Sequence, residues 1–280
     1  MKLVTFDGGR VGRIEGEEIV ELDVPSMLEL FQRGGDASVR GTVPVSEVRL
    51  EAPIIPRKFF HTAGNFREHE EESKRVGWSH KIAPWIVFFQ NVDAIVGPDD
   101  PVVHPEHLTN ELDYELELAV VIAKDGKWFG PEEAEEYVGG YTIFNDITAR
   151  DIQRREMESG VFSFCKAIDT FCPLGPWIVT PEEIPNPHDL AMELRVNGEL
   201  RQESHSGRMS VTIPEILAHY SPLGYSAGDV VSTGTVSGVA GFSEDAASLY
   251  LKPGDMIECE IERIGVLRNP VVSWAEAHGS

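Results

Sequence analysis

Near the amino terminus apolar and polar positions alternate with a period of two over Lys2 to Phe6, Arg10 to Ile14 and Glu18 to Leu22, with Asp7-Gly8-Gly9 and Glu15-Gly16-Glu17 between them. Alternating runs joined by such turn formers predict a small antiparallel meander. The pattern takes on helical spacing over Pro25 to Arg33, gives way to a glycine-rich loop at Gly34 to Gly41, and returns to a strand at Glu47 to Glu51. Pro53 and Pro56 then interrupt the chain. This sets an expected boundary between a small β-rich N-terminal domain, residues 1–55, and a main domain, residues 56–280.

In the main domain the strand candidates are Ile86 to Gln90, Glu115 to Ala123, Gly140 to Asn145, Gly175 to Val179, Met192 to Val196, Val230 to Thr233 and Met256 to Ile261. Short helical stretches lie among them, without the regular strand–helix alternation of a doubly wound sheet or a TIM barrel. The expected fold class is therefore α+β and β-rich. Asn197-Gly198, between an alternating run and Glu199 to Gln202, predicts a hairpin. No internal repeat or low-complexity segment is present.

A chain of 280 residues can bury a sizeable core, and 41% hydrophobic with 25% charged residues excludes a disordered or fibrous protein. Lys and Arg number 24 against 47 Asp and Glu, a net charge of −23, so phosphate backbones and anionic headgroups are repelled. Neither nucleic acid nor a membrane is an expected partner. The first apolar residues soon meet Asp7, and the longest apolar stretches, such as Ala119 to Ala123, fall far short of the roughly 20 residues a bilayer demands. A soluble, cytoplasmic protein is expected. Cys165, Cys172 and Cys259 form no CxxC pair and read as core or surface thiols of a reducing compartment.

The chemistry concentrates in four places. Over Leu112 to Leu118, alternation puts Tyr114, Leu116 and Leu118 on one face and Asp113, Glu115 and Glu117 on the other. Alone this reads equally as a strand with a wet acidic face, but the run continues into Ala119 to Ala123, apolar on both faces. Carboxylates beside a buried strand repel each other unless a cation lies between them. The Gly140 to Asn145 strand ends at Asp146, which would complete a three-carboxylate site or, more plainly, cap a helix over Ile147 to Glu158. Oxygen-only ligands select Mg²⁺, Mn²⁺ or Ca²⁺ over zinc or copper.

His69 and Glu72, three apart in a charged helix-prone run from Asn65, are either a solvated surface pair or a carboxylate-oriented base able to activate water. The charged segment Glu68 to Lys81 is a candidate lid. Lys166 either snorkels outward or, with Arg150, faces the acids and binds an oxyanion. Three other patterns carry little. Gly224-Tyr225-Ser226-Ala227-Gly228 matches G-x-S-x-G, but it follows a helical stretch and precedes a strand, the reverse of a nucleophile elbow. Gly234 to Gly241 lacks nucleotide-loop spacing, and His104 and His107 flank a proline and read as loop.

Taken in order, Asn65-Phe66-x-x-His69-x-x-Glu72, Asp113-Tyr114-Glu115-x-Glu117-Leu118, Gly140-Tyr141 with Asn145-Asp146-x-Thr148-Ala149-Arg150-Asp151-x-Gln153, Lys166-x-x-Asp169-Thr170-Phe171-x-Pro173-x-Gly175-Pro176, and a tail with Gly234-Thr235 and Leu251-x-Pro253-Gly254-Asp255 resemble the fumarylacetoacetate hydrolase family. The resemblance covers roughly residues 50 to 275. It implies a mixed β-sandwich roll, a homodimer, a divalent metal (Mg²⁺ or Mn²⁺, with Ca²⁺ a further option) and a small anionic oxo-acid substrate. It also implies Glu115, Glu117 and Asp146 as metal ligands and His69 with Glu72 as the water-activating dyad. Arg150, Gln153 and Lys166 would stabilise an oxyanion, and Phe66, Thr170 and Thr235 are the candidate substrate contacts. The leading expectation is a metal-dependent hydrolase cleaving a C–C bond of an acylpyruvate-like or 2,4-diketo acid. The alternatives are a lyase or isomerase of the same family and, more remotely, a non-catalytic metal-binding module. The chain departs from the usual pattern at Ala63, Phe66, Ala167 and Val236, none of which is an expected metal ligand.

Overall fold

The computed structural model describes residues 1–75 and 85–279. The far end of the candidate lid, from residue 76 on, lies outside the described residues. The fold is α+β and strand-rich, built on one large sheet and a five-stranded sheet packed against it. Across the large sheet the order is Val39–Pro44, Glu18–Leu22, Arg10–Glu15, Lys2–Phe6, Cys172–Val179, Val138–Asn145, Leu116–Ile122, Val230–Thr235, Phe59–Ala63 and Ile86–Phe89. Neighbours run antiparallel except Val230–Thr235 and Phe59–Ala63, which are parallel, with Ser232 opposite His61. The second sheet runs Glu199–His205, Ala191–Val196, Met256–Ile261, Gly265–Ser273, Val102–His104.

The Leu116–Ile122 strand is buried along its whole length. Leu116, Leu118, Val120 and Ile122 point into a core shared with Met192, Leu194, Ile257, Cys259 and Leu267 of the second sheet. Ala119 and Val121 point the other way, into a core with Leu30 and Phe31 of the N-terminal helix Met27–Gln32. Strand alternation thus sends Glu117 to the face opposite the sandwich core. The N-terminal meander joins the body through Lys2 and Leu3, which pair antiparallel with Val179 and Ile178.

Several elements differ from the pattern reading. Val39–Pro44 is an edge strand beside Glu18–Leu22, although it takes in Gly41 of the expected loop: its β-branched Val39, Thr42 and Val43 and an available partner outweigh the loop signal. The stretch at Glu47 to Glu51 is a 3₁₀ turn, Val45–Glu47, followed by a two-residue strand. Phe59–Ala63 and Gly265–Ser273 were not expected as strands. The first is buried at four of its five positions and shows no alternation, and the second contains Pro270. The helix after Asp146 begins only at Arg150, with Ala149 at its N-cap, so Asp146 does not cap it.

All three cysteines are buried and unpaired, and burial pushes their thiols up from the ordinary range. Among the described residues no helix is long and apolar enough to cross a membrane.

Gly140 lets two strands of the large sheet meet closely, because a Cβ there would lie 2.4 Å from Ile178 Cγ2 and 2.8 Å from the Val179 carbonyl oxygen. Gly140→Ala is therefore expected to destabilise the protein by about 1–3 kcal/mol, the usual cost of overpacking. Scanning calorimetry would show a lowered melting temperature, and an unchanged one would contradict this packing.

Candidate active site

Acids, bases and cations converge where the Leu116–Ile122 and Val138–Asn145 strands end. Leu116 pairs with Asn145, so Glu115 and Asp146 leave the ladder side by side, and the Asp146 N–H donates to the Glu115 carbonyl at 2.9 Å. Glu117 stays inside the sheet, opposite Thr235, where its Oε2 accepts from Ser232 Oγ and from the Gly234 N–H. A two-stranded piece, Leu112–Asp113 with Thr148–Ala149, holds Asp113 at the start of the Arg150–Met157 helix. These four carboxylates are all buried.

Arg150 and Lys166 answer them. Arg150 donates from Nε to Asp113 at 2.6 Å, from Nη2 to Glu115 at 2.5 Å and from Nη1 to Gln153 Oε1 at 2.9 Å. Lys166, on the short helix Phe164–Ala167, does not snorkel: its Nζ reaches Glu115 at 2.9 Å, Asp146 at 2.5 Å and Thr148 Oγ1 at 2.7 Å. Burial would raise the Glu115 carboxyl, but Lys166 and Arg150 outweigh it and hold it down at about 2. At Asp146 burial wins against Lys166 and His61 and pushes the carboxyl up to about 6.

Four carboxylates against two cations leave two negative charges over. Asp146 Oδ1 has no hydrogen-bond partner, and neither does either ring nitrogen of His61, which faces Glu117 and Asp146 from the neighbouring strand. One atom each from His61, Glu117 and Asp146 lie within 4.8 Å of one another. Excess buried charge and unpartnered oxygen and nitrogen donors together fit a divalent cation.

A cavity opens over this cluster. Its polar lining includes Glu115, Glu117, Asp146, Arg150, Gln153, Lys166, Thr235 and His69, and an apolar wall is formed by Ile86, Phe88, Met157, Phe162 and Phe242. His69 sits on the helix Arg67–Arg75, buried, with Nδ1 unpartnered and its ring 5.0 Å from that of Phe242. Glu72 lies one turn on, its Oε2 3.8 Å from His69 Nδ1, too long for a hydrogen bond. Both Glu72 oxygens instead accept from the Gly238 N–H at 3.0 Å. Thr235 Oγ1 donates to the Leu116 carbonyl and accepts from Gln202.

Two expected contacts are not brought to the cavity. Phe66 is fully buried in the sandwich core, with its backbone bridged to Met209. Thr170 lies on a left-handed turn (φ 66°), where its hydroxyl accepts from the Val103 N–H and donates to the Asp169 carbonyl. The Gly224 to Gly228 segment is a loop between helix and strand. Gly234 to Gly241 wraps the site: Ala240 and Gly241 N–H groups donate to Asp113, and a Cβ at Gly241 would fall 2.9 Å from the Arg150 side chain. Pattern reading missed His61 as a site residue, and its one signal was a lone imidazole in an aromatic run. Asp113 belonged to the acidic face but had no assigned role.

A strand-rich α+β fold thus sets buried carboxylates, two buried cations and a histidine-lined cavity together, a group of side chains that could hold a metal ion. Residues 58–272 match the model of the fumarylacetoacetate (FAA) hydrolase C-terminal domain, and the chain belongs to the fumarylacetoacetate hydrolase family. It is 42% identical over 276 residues to the oxaloacetate tautomerase YisK of Bacillus subtilis, spanning 96% of this chain and 88% of that protein. The structure of a fumarylacetoacetate hydrolase from Exiguobacterium antarcticum superposes with a TM-score of 0.84 at 37% identity, over 98% of this chain and 99% of that one. A maleylpyruvate hydrolase from Sphingobium sp. SYK-6, solved with manganese(II) and pyruvate, gives 0.77 at 30% identity, over the same shares.

Asp113→Ala would leave Arg150 with Glu115 as its one acid and strip the Tyr114, Ala240 and Gly241 amides of their acceptor. Breaking a buried ion pair from one side costs about 3–5 kcal/mol. Chemical denaturation at neutral pH should show that loss, and a loss under about 1 kcal/mol would show that Asp113 does not anchor Arg150.

Proposed function

We propose that the chain is a divalent-cation-dependent enzyme that interconverts the keto and enol forms of a 2-oxo carboxylate, with oxaloacetate as the representative substrate. The observation that carries this reading is His69, a buried imidazole with an unpartnered nitrogen lining the same cavity as the buried acid cluster. The similarity to an oxaloacetate tautomerase over nearly the whole chain supports it.

Glu115, Glu117 and Asp146 would hold the cation. When bound, it would polarise the 2-oxo carboxylate and offset the negative charge of the enolate. His69 would take a proton from the carbon beside the oxo group and return it in the reverse direction. Glu72, anchored on Gly238, would limit the orientations open to the ring. Arg150 positions Glu115 and Gln153, and the Lys166 ammonium adds positive charge at the cavity floor. Thr235 is the candidate hydroxyl contact for substrate.

A second reading, hydrolysis of the C–C bond of an acylpyruvate-like acid, is favoured by the apolar wall of Ile86, Phe88, Met157 and Phe162, which suits an acyl group beyond the 2-oxo acid. Similarity to a maleylpyruvate hydrolase points the same way. In that case His69 would deprotonate a water rather than a carbon.

Enol oxaloacetate, followed by its ultraviolet absorbance with Mg²⁺ or Mn²⁺ and then with EDTA, tests the first reading. Metal-dependent acceleration is expected, with His69→Asn slowed by about 10²–10⁴-fold, the usual contribution of a general base. If acetylpyruvate instead yields pyruvate and acetate by mass spectrometry while oxaloacetate is untouched, the hydrolytic reading replaces it. Inertness toward both substrates, with metal present, would sink both.

A further inference from the structure

His61 has no role in the proposed proton transfer, yet its surroundings are costly for a purely structural histidine. It is fully buried in the Phe59–Ala63 strand, on the face that carries Phe59 rather than the face of Thr62, whose hydroxyl meets Tyr220. Three aromatic rings clamp the imidazole. Phe59 stacks on it at 4.9 Å and 7°, Phe88 at 4.4 Å and 16°, and Phe144 meets it edge-on at 4.9 Å. Both ring nitrogens lack a hydrogen-bond partner, although burying an unsatisfied polar group costs about 1–3 kcal/mol. The polar groups it does face are acids: Nδ1 lies 3.8 Å from Glu117 Oε2 and 3.7 Å from Asp146 Oδ2.

Those separations are too long for hydrogen bonds. They fall among the spacings that donors adopt around one ion with bonds of about 2.1 Å, which places neighbouring donors about 3–4 Å apart. We propose that His61 is itself a ligand, supplying one imidazole nitrogen to the cation held by Glu117 and Asp146, and that the centre is therefore a mixed nitrogen–oxygen site. This rests on the proposed cation-dependent function and adds to its carboxylate ligands. The aromatic clamp fixes the ring toward the acids and keeps water away from it. Imidazole suits borderline ions such as Fe²⁺, Co²⁺ or Zn²⁺, whereas Mg²⁺ and Ca²⁺ prefer oxygen alone. A nitrogen ligand should thus tilt the site away from Mg²⁺ and Ca²⁺.

Mn²⁺, which is paramagnetic, is the probe. Chelator-treated protein is titrated with Mn²⁺, free ion is counted by electron paramagnetic resonance, and electron spin echo modulation of the bound ion reports nitrogen directly bonded to it. The unaltered protein is expected to show imidazole ¹⁴N modulation that changes to the ¹⁵N pattern when its histidines are ¹⁵N-labelled. His69→Ala should keep the modulation. His61→Gln should lose it and bind Mn²⁺ at least about 10-fold more weakly, with a much smaller change for Mg²⁺. Mn²⁺ bound without nitrogen modulation in the unaltered protein would overturn the proposal while leaving the carboxylate site standing. Modulation lost with His69→Ala but kept in His61→Gln would move the ligand to the other histidine and overturn it equally. No Mn²⁺ binding at all would remove the cation site itself, and the inference with it. The labelling experiment needs no variant, so a misfolded His61→Gln protein would not shield the proposal.

Discussion

Everything around the cavity depends on the compensation of buried charge at Glu115. An ionised carboxylate withdrawn from water is stable only if paired and hydrogen-bonded. Glu115 meets that condition twice, with one oxygen on Arg150 and the other on Lys166. Each cation is in turn shared with a second acid, Arg150 with Asp113 and Lys166 with Asp146. The result is a chain of alternating charges that no single member can leave cheaply. It ties the end of the Leu116–Ile122 strand to the Arg150–Met157 helix and to the short helix of Lys166, elements far apart in sequence.

The same network shapes the glycine-rich loop. Asp113 is the acceptor for both Arg150 and the Ala240 and Gly241 amides, so the charge chain and the loop are one structure. Glu72 repeats the device from the other side, clasping the Gly238 amide and so fastening the helix that carries His69 to the same loop. Asn65 fixes the base of that helix by exchanging hydrogen bonds with the Val211 backbone in both directions, at 3.0 and 2.8 Å. The His69 side of the cavity and its charged floor are therefore held to a common backbone, the kind of preorganisation that the proposed catalysis would use.

Much of this is legible in the sequence. Period-two alternation put Glu115 and Glu117 on one face, and the apolar continuation to Ala123 implied burial, which the Leu116–Ile122 strand displays. The order of short motifs pointed to the family. What escaped has physical reasons. Phe59–Ala63 is buried at four of its five positions, so it lacks the alternation that announces a strand, and His61 was lost with it. The Asn65-Phe66 motif indicated a functional site but not which side chain reaches it, and Phe66 turned out to pack in the core. Thr170 is held in a left-handed turn by local backbone bonds, a tertiary outcome that a linear motif does not encode.

The two chemistries named for relatives, tautomerisation and C–C hydrolysis, make the same demand on the floor of the cavity: negative charge built up on a 2-oxo carboxylate must be matched by fixed positive charge. Lys166 and Arg150 are already committed to the acids, so an anionic substrate of the proposed kind would need additional positive charge, and the two negative charges left over match a divalent cation that could provide it. For either proposed reaction the floor would serve alike. The choice would then fall to the upper cavity, to what His69 reaches and to what the wall of Ile86, Phe88, Met157 and Phe162 admits. A base near carbon moves a proton, and a base that first meets water cleaves a bond. Under the proposed function, specificity would be set by the apolar wall and reactivity by the charge network beneath it.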